Sequence, residues 1–359
     1  MANLIALATT VPNGVWEKIL FAFNGAFKNY ALAVIILTVI IKLITLPLDF
    51  LNRRSTLKMN EVQGKLKPKI AEIKNKYQDS ALQNQKINEL YQKEGFNPMG
   101  SCLTMLLVMV MSIGVFFTLF ASLNNMAAYK IVNQYDNLKV AYVREYVKEE
   151  RGLDNDGFYA LELNDAQIRE YVIQISTTGT DEQKQTAVIS VNEKYKEVKE
   201  KFLWIKNVWL PDSPSSKAIA DFDTYYNLGK LKELNLTEEE LGAYKTEYIA
   251  VMGGLEESEG VNGYFILAVL AGVTAFLYQY FLNKKKEKQK TTQDMHKNPN
   301  EAQTPEPSGK AMMFILPIIM LVFTLRYNSI FALYIITSQT VGMATSPLIN
   351  KFINKSTKK

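Results

Sequence analysis

Five stretches of this chain, residues 31–51, 101–122, 262–282, 311–326 and 328–348, are apolar enough to cross a hydrocarbon layer as helices of about 20 residues. Lipid offers no partner for backbone N–H and C=O groups, so such runs satisfy their own hydrogen bonds and the chain reads as an all-α polytopic membrane protein. The first run carries a cation in its interior, Lys42, about 16 Å from its outer end by helical rise. An unpaired ammonium at that depth costs about 3 kcal/mol on insertion scales, so it faces protein, water or a substrate. Thr38, Lys42, Thr45 and Asp49 recur at helical spacing and form one polar stripe. The stripe reads as one wall of a wet cavity. A lysine that snorkels towards Arg53 and Arg54, or one paired silently with a carboxylate, accounts for the same residues.

Charge sets the expected orientation. Residues 52–98 carry ten bases, from Arg53 to Lys93, against five acids. By the positive-inside rule this loop is cytoplasmic and the N-terminus lies outside. Within it Pro68 is expected to open a helix through Ile70, Ile73 and Tyr77, Asp79 and Ser80 to break it, and Leu82, Ile87, Leu90 and Tyr91 to stripe a second helix. The result is an antiparallel helical hairpin closed by Gly95 and Asn97-Pro98. The third run ends in Asn283-Lys284-Lys285-Lys286, residues 283–310 read as a flexible polar loop, and the tail 349–359 carries four lysines. All three basic segments then fall inside, with five spans.

Residues 123–261 hold 25 acids against 16 bases and are expected outside as a mostly helical domain. Capping boxes at Thr180 to Gln183 and Thr237 to Glu240 announce helices; YVIQIS is a short, isolated strand signal; Gly253 to Gly263 is expected to hinge the chain back into the membrane. The first 30 residues lack a basic flank and a convincing cleavage site, so they read as an extracytoplasmic segment with a short interfacial helix over 15–27. A single cysteine, Cys102, rules out an intrachain disulfide, and a single histidine, His296, leaves little for a histidine metal site or triad. No nucleotide-binding motif is present, and no enzyme activity, cofactor or metal is expected. Met105 and Met109 sit one turn apart in the second run with Ser112 following, a flexible surface suited to varied apolar segments or to ordinary span packing.

The order of the pieces resembles the YidC-type membrane protein insertases, whose relatives work in mitochondria and chloroplasts. Four stretches carry the likeness: NYALAVIILTVIIKLITLPL at 29–48, GFNPMGSCLTMLLVMVMSIGVFFTLF at 95–120, FLWIKNVWLPD at 202–212 with YFILAVLAGVTAFLYQYF at 264–281, and KAMMFILPIIMLVF at 310–323 with LYIITSQ at 333–339. The resemblance implies a five-helix insertase core with a cytoplasmic hairpin, in a bacterial plasma membrane, and a hydrophilic groove open to the cytoplasm. The family's groove cation, usually arginine, falls on Lys42 and its threonine on Thr38; Tyr334 matches a groove tyrosine, and Thr45, Ser112 and Ser338 complete the candidate groove, with Met105 and Met109 as an apolar slide. The chain departs from the pattern at Thr104, Val108, Val110 and Ile335, and residues 126–201 and part of 213–260 have no counterpart in it. Implied partners are nascent membrane proteins, a ribosome or anionic lipid at the basic loop and tail, and a Sec-type translocon, with no DNA. A small transporter using Lys42 as an ion site, or an assembly or signalling protein, are the alternatives.

Overall fold

The computed structural model describes residues 10–95, 98–234, 236–293 and 309–356. Among these every regular element is a helix, and extended pairing is limited to two isolated bridges, Phe202 with Ile205 and Lys217 with Val261. The helices are α1 (Val15–Phe27), α2 (Tyr30–Lys76), α3 (Ser80–Lys93), α4 (Pro98–Arg151), α5 (Asn155–Ala160), α6 (Asp165–Thr178), α7 (Asp181–Val198), α8 (Phe222–Leu228), α9 (Glu238–Glu259), α10 (Ile266–Gln293), α11 (Gly309–Arg326) and α12 (Ser329–Ser356). Within them Tyr30–Lys58 and Leu106–Arg151 are long and apolar enough to cross a membrane; Ile266–Phe281 and Phe314–Arg326 are shorter apolar helices. The loop containing His296 and the terminal Lys358 and Lys359 lie outside the described residues, as do the side chains of Cys102, Thr104 and Met105.

Several local expectations are corrected. Pro68 does not open a helix but sits inside α2, which runs unbroken through Pro47 as well. A proline inside a helix removes one N–H and frees the carbonyl four residues back; at Pro68 the side chain is exposed, and the turns on either side carry the helix past one missing bond. YVIQIS lies in α6, whose start is fixed by a capping box of Asn164 and Gln167. Gly253 and Gly254 lie inside α9, so the turn is confined to Gly260, at φ +67°, and the residues up to α10.

The chain divides into two compact units. The first comprises Met1–Leu37, Phe120–Val273 and Pro317–Ile336. Its domain is built on the continuation of α4, whose Tyr135 packs against Tyr225 and Tyr248 at 5.1 and 5.0 Å between ring centres. Beside these rings Lys139, 4% exposed, meets Asp136 at 3.1 Å and also Asp165, and Arg169 holds buried Glu247 at 2.7 Å while lying over the Tyr244 ring. Buried charges need such partners, because removing one leaves the other uncompensated at a cost of about 3–5 kcal/mol. Burial alone would lower the Lys139 ammonium, but Asp136 and Asp165 outweigh it and hold the group above its usual value. Capping boxes form at Thr180 with Gln183 and at Thr237 with Glu240, fixing the starts of α7 and α9.

The segment 202–212 ties the helix ends of this unit together. Asn207 and Asn262 exchange two bonds, Asn207 N–H to the Asn262 side chain at 2.8 Å and Asn262 Nδ2 to the Asn207 carbonyl at 2.9 Å. Leu210 accepts from both the N–H and the hydroxyl of Ser329 at the start of α12. Asp212, buried, accepts from Tyr264 N–H at 2.8 Å, Leu267 N–H at 2.6 Å and Trp204 Nε1 at 3.3 Å, which caps α10. Gly263 is required here, since a Cβ would fall 1.8 Å from the Asp212 carboxylate. A second aromatic group of the unit joins Phe120, Phe323, Tyr327 and Phe331.

The second unit comprises Thr38–Leu119, Thr274–Leu316 and Thr337–Lys359. Here α2 turns back through Asp79, which caps α3 by accepting from Ala81 N–H at 2.9 Å. Lys69 reaches Glu94 at 3.0 Å, and Gln83 donates to the carbonyls of Lys74 in α2 and of Tyr77 just past its end, so the arms of a hairpin are pinned near both ends of α3.

Candidate functional site

In the second unit the polar stripe of α2 occupies one long helix. Thr38 is buried, while Lys42 and Thr45 are half-buried. Thr45 Oγ1 donates back to the Lys42 carbonyl at 3.3 Å, a bond that satisfies the hydroxyl within the helix. Pro47 follows and leaves the Leu43 carbonyl without its usual donor. No carboxylate stands within ion-pair distance of the Lys42 ammonium among the described residues; Asp49, two turns on, lies within electrostatic reach of Lys42 and of Arg53. The stripe therefore holds a half-buried cation, then an anion, then a second cation.

Arg53 extends this line onto another helix. Its Nη1 donates to the Ser346 hydroxyl at 2.7 Å, the Ser346 carbonyl at 3.1 Å and Asn350 Oδ1 at 3.3 Å. Tyr278 on α10 lies within reach of the charges of both Asp49 and Arg53. α10 and α12 meet along a close seam: Thr274 Oγ1 and Gln339 Oε1 are 2.7 Å apart, and a Cβ built on Gly342 would stand 2.9 Å from the Tyr278 ring. Small residues let membrane helices approach in this way. Gly342→Ala is accordingly expected to destabilise the protein by about 1–3 kcal/mol through overpacking. Unfolding in mixed detergent measures this, and adding Tyr278→Leu should recover most of the loss.

The remaining candidates are dispersed. Ser112 and Met109 on α4 are exposed, the latter at 51%, beside exposed Leu106, Val110 and Met111, whereas Val108 is buried. An apolar surface this open needs lipid or a protein segment to cover it. Ser338 is half-buried on α12, and no hydrogen bond links it or Ser112 to Lys42 among the described residues. Tyr334 belongs to the first unit, where it is buried with its ring 6.1 Å from Phe331. Met105 lies on α4 with its side chain outside the described part of the structure. The stripe thus brings Thr38, Lys42 and Thr45 together on one helix and adds Asp49, Arg53, Tyr278, Ser346 and Asn350. Arg53 reads in the sequence only as part of a basic flank; its partners lie 293 and 297 residues away, beyond any local signal.

A family model described as 60Kd inner membrane protein matches residues 22–357, nearly the whole chain. Among similar curated proteins, the membrane protein insertase YidC of Neisseria gonorrhoeae (strain NCCP11945) is 40% identical over 100 residues, covering 28% of this chain and 18% of that protein. The proteins of the same name from Parabacteroides distasonis and Geobacter sulfurreducens are 41% identical over 101 residues and 42% identical over 102. These matches cover 27% and 28% of this chain and 15% and 18% of the two relatives. The matched part of the chain therefore spans less than a fifth of the length of each of these relatives.

Proposed function

The chain belongs to the 60Kd inner membrane protein family, and from that membership we propose that it is a membrane protein insertase of the bacterial inner membrane. The observation that carries the reading is the family match over residues 22–357, which includes the cation-bearing stripe of α2. Its core is five membrane helices, the apolar parts of α2, α4, α10, α11 and α12, with the α2–α3 hairpin in the cytoplasm and residues 123–261 outside. Lys42, with Thr38 and Thr45, forms the polar wall of a groove to which Ser112 and Ser338 contribute, and Met105 and Met109 offer an apolar slide. A wet cationic pocket partway across shortens the hydrocarbon barrier that a polar segment of a nascent chain must cross, and an acidic residue in that segment pairs transiently with Lys42. Burial of the substrate's apolar segment in lipid drives the step, without a nucleotide and without covalent chemistry. Nascent membrane proteins are the substrates; a ribosome at the basic loop and tail and a Sec-type translocon are further partners on this reading.

Reconstitution tests it. The purified full chain in liposomes should insert a short single-span substrate into a protease-protected form well above empty liposomes. Insertion at the level of empty liposomes, by folded protein, would refute the proposal. The orientation has its own check. Cysteines placed at Ser80 and Ser215 in a Cys102-free background should react with an impermeant reagent in intact cells at Ser215 only. Labelling at Ser80 would overturn the topology.

A further inference from the structure

A polar cavity of about 480 Å³ opens in the first unit where α1 ends and α2 begins. That is the size of a small-ligand site rather than of a few waters. Its walls include four lysines, Lys28, Lys130, Lys199 and Lys201, against two acids, Glu197 and Glu200. Four of these six are already engaged elsewhere or with each other in pairs: Lys130 with Glu200 at 2.7 Å, Lys199 with Glu259 at 3.4 Å and Glu197 with Lys194 at 2.9 Å. Lys28 and Lys201 have no carboxylate partner among the described residues. The lining therefore carries a net positive charge.

One wall is tied together by side-chain contacts. Glu200 accepts from Lys130 and from Trp209 Nε1, the Lys130 ammonium lies 4.3 Å from the Tyr30 ring centre, and Tyr30 meets Trp209 edge-on at 5.2 Å. Asn133, whose Oδ1 accepts from Asn137 Nδ2, and Gln134 add side-chain amides to the lining. Lys28 is held at φ +52° as the C-cap of α1, a left-handed position where glycine is usual. Cations and amide N–H donors on an aromatic wall recognise a phosphate-type anion. The location selects its source. Tyr30 is the first residue of a membrane helix, tyrosine and tryptophan favour the headgroup level, and α1 beside it exposes apolar Val15 and Phe27.

We propose that this cavity seats the phosphate of an anionic phospholipid headgroup from the leaflet it borders. The inference rests on α2 being a membrane helix and does not depend on insertase activity. It can be tested on the full chain in neutral detergent, with melting followed during titration with short-chain phosphatidylglycerol. Phosphatidylcholine of the same chain length, inorganic phosphate and an acidic peptide are titrated in parallel. Phosphatidylglycerol should raise the melting temperature saturably and bind more tightly than phosphatidylcholine. The double variant Lys28→Gln, Lys201→Gln should weaken it about tenfold or more, while the double arginine variant should retain it. Should the double variant be poorly folded without lipid, Gln134→Ala, on another wall of the cavity, is expected to weaken binding in the same direction. Equal affinity in the parent and in a folded variant would overturn the proposal. So would a response to inorganic phosphate as strong as that to the lipid, or a response to the acidic peptide alone.

Discussion

Lys42→Glu is expected to reduce insertion of substrates with acidic translocated segments at least tenfold, while substrates with neutral segments lose much less. Two unit charges about 5 Å apart at an effective dielectric near 20 interact by about 3 kcal/mol, and the substitution turns that attraction into repulsion. The environment supports a strong effect: Lys42 is half-buried and its ammonium lacks a direct carboxylate partner among the described residues. Lys42→Arg keeps the charge and should be tolerated, although it exchanges a point charge for a planar fork. Lys42→Ala removes both the attraction and the desolvation cost of the ammonium, so its effect on insertion should be smaller than that of glutamate. Insertion efficiency measured against the charge of the substrate segment, at matched protein levels, separates these cases. Equal insertion of acidic and neutral substrates by Lys42→Glu would make Lys42 a snorkelling or structural residue.

Asp212→Ala should cost about 2–4 kcal/mol of stability, more than an ordinary helix cap. The carboxylate is 3% exposed and satisfies two backbone N–H groups at the start of α10 together with the Trp204 indole. Losing it leaves three donors without this acceptor, of which Leu267 N–H is buried from water. The same segment binds Ser329 through Leu210, so loosening at 212 should spread to the start of α12. Hydrogen exchange would show faster amide exchange at 264–267 and 329–331, and Asp212→Asn, which retains one acceptor oxygen, should be milder. Unchanged exchange at both places would show that the two helix starts are fixed independently of Asp212.

Much of this organisation can be read from local pattern. Thr38, Lys42, Thr45 and Asp49 are placed by helical spacing alone, and the boxes at Thr180 and Thr237 need only four residues each. The box at Asn164 is equally local, yet the β-branched run YVIQIS that follows points towards a strand; capping and burial of Ile168, Val172 and Ile175 on one face decide for helix. The proline rule misleads at Pro68 because a long helix tolerates one missing bond when neighbouring turns stay intact. Arg53 with Ser346, Lys130 with Glu200 and Asp212 with Leu267 are separated by 293, 70 and 55 residues, and such pairings depend on the tertiary fold. α4 is one helix from Pro98 to Arg151, so the membrane part and the acidic domain share an element that composition divides at residue 123. A deletion starting at 127 would cut that helix and remove Lys130, which holds Glu200.

The most direct measurement of substrate passage along the α2 stripe is site-specific photocrosslinking to a stalled nascent membrane protein. A photoreactive residue at Thr45, on the half-buried stripe, is compared with one at Ile44, which is 71% exposed and points about 100° away around the helix. Strong adducts from position 45 and few from position 44 are expected, with the yield at 45 falling when Lys42→Glu is combined with an acidic substrate. Equal yields from the two positions, or none from position 45 while the protein still inserts the substrate, would contradict passage along this face.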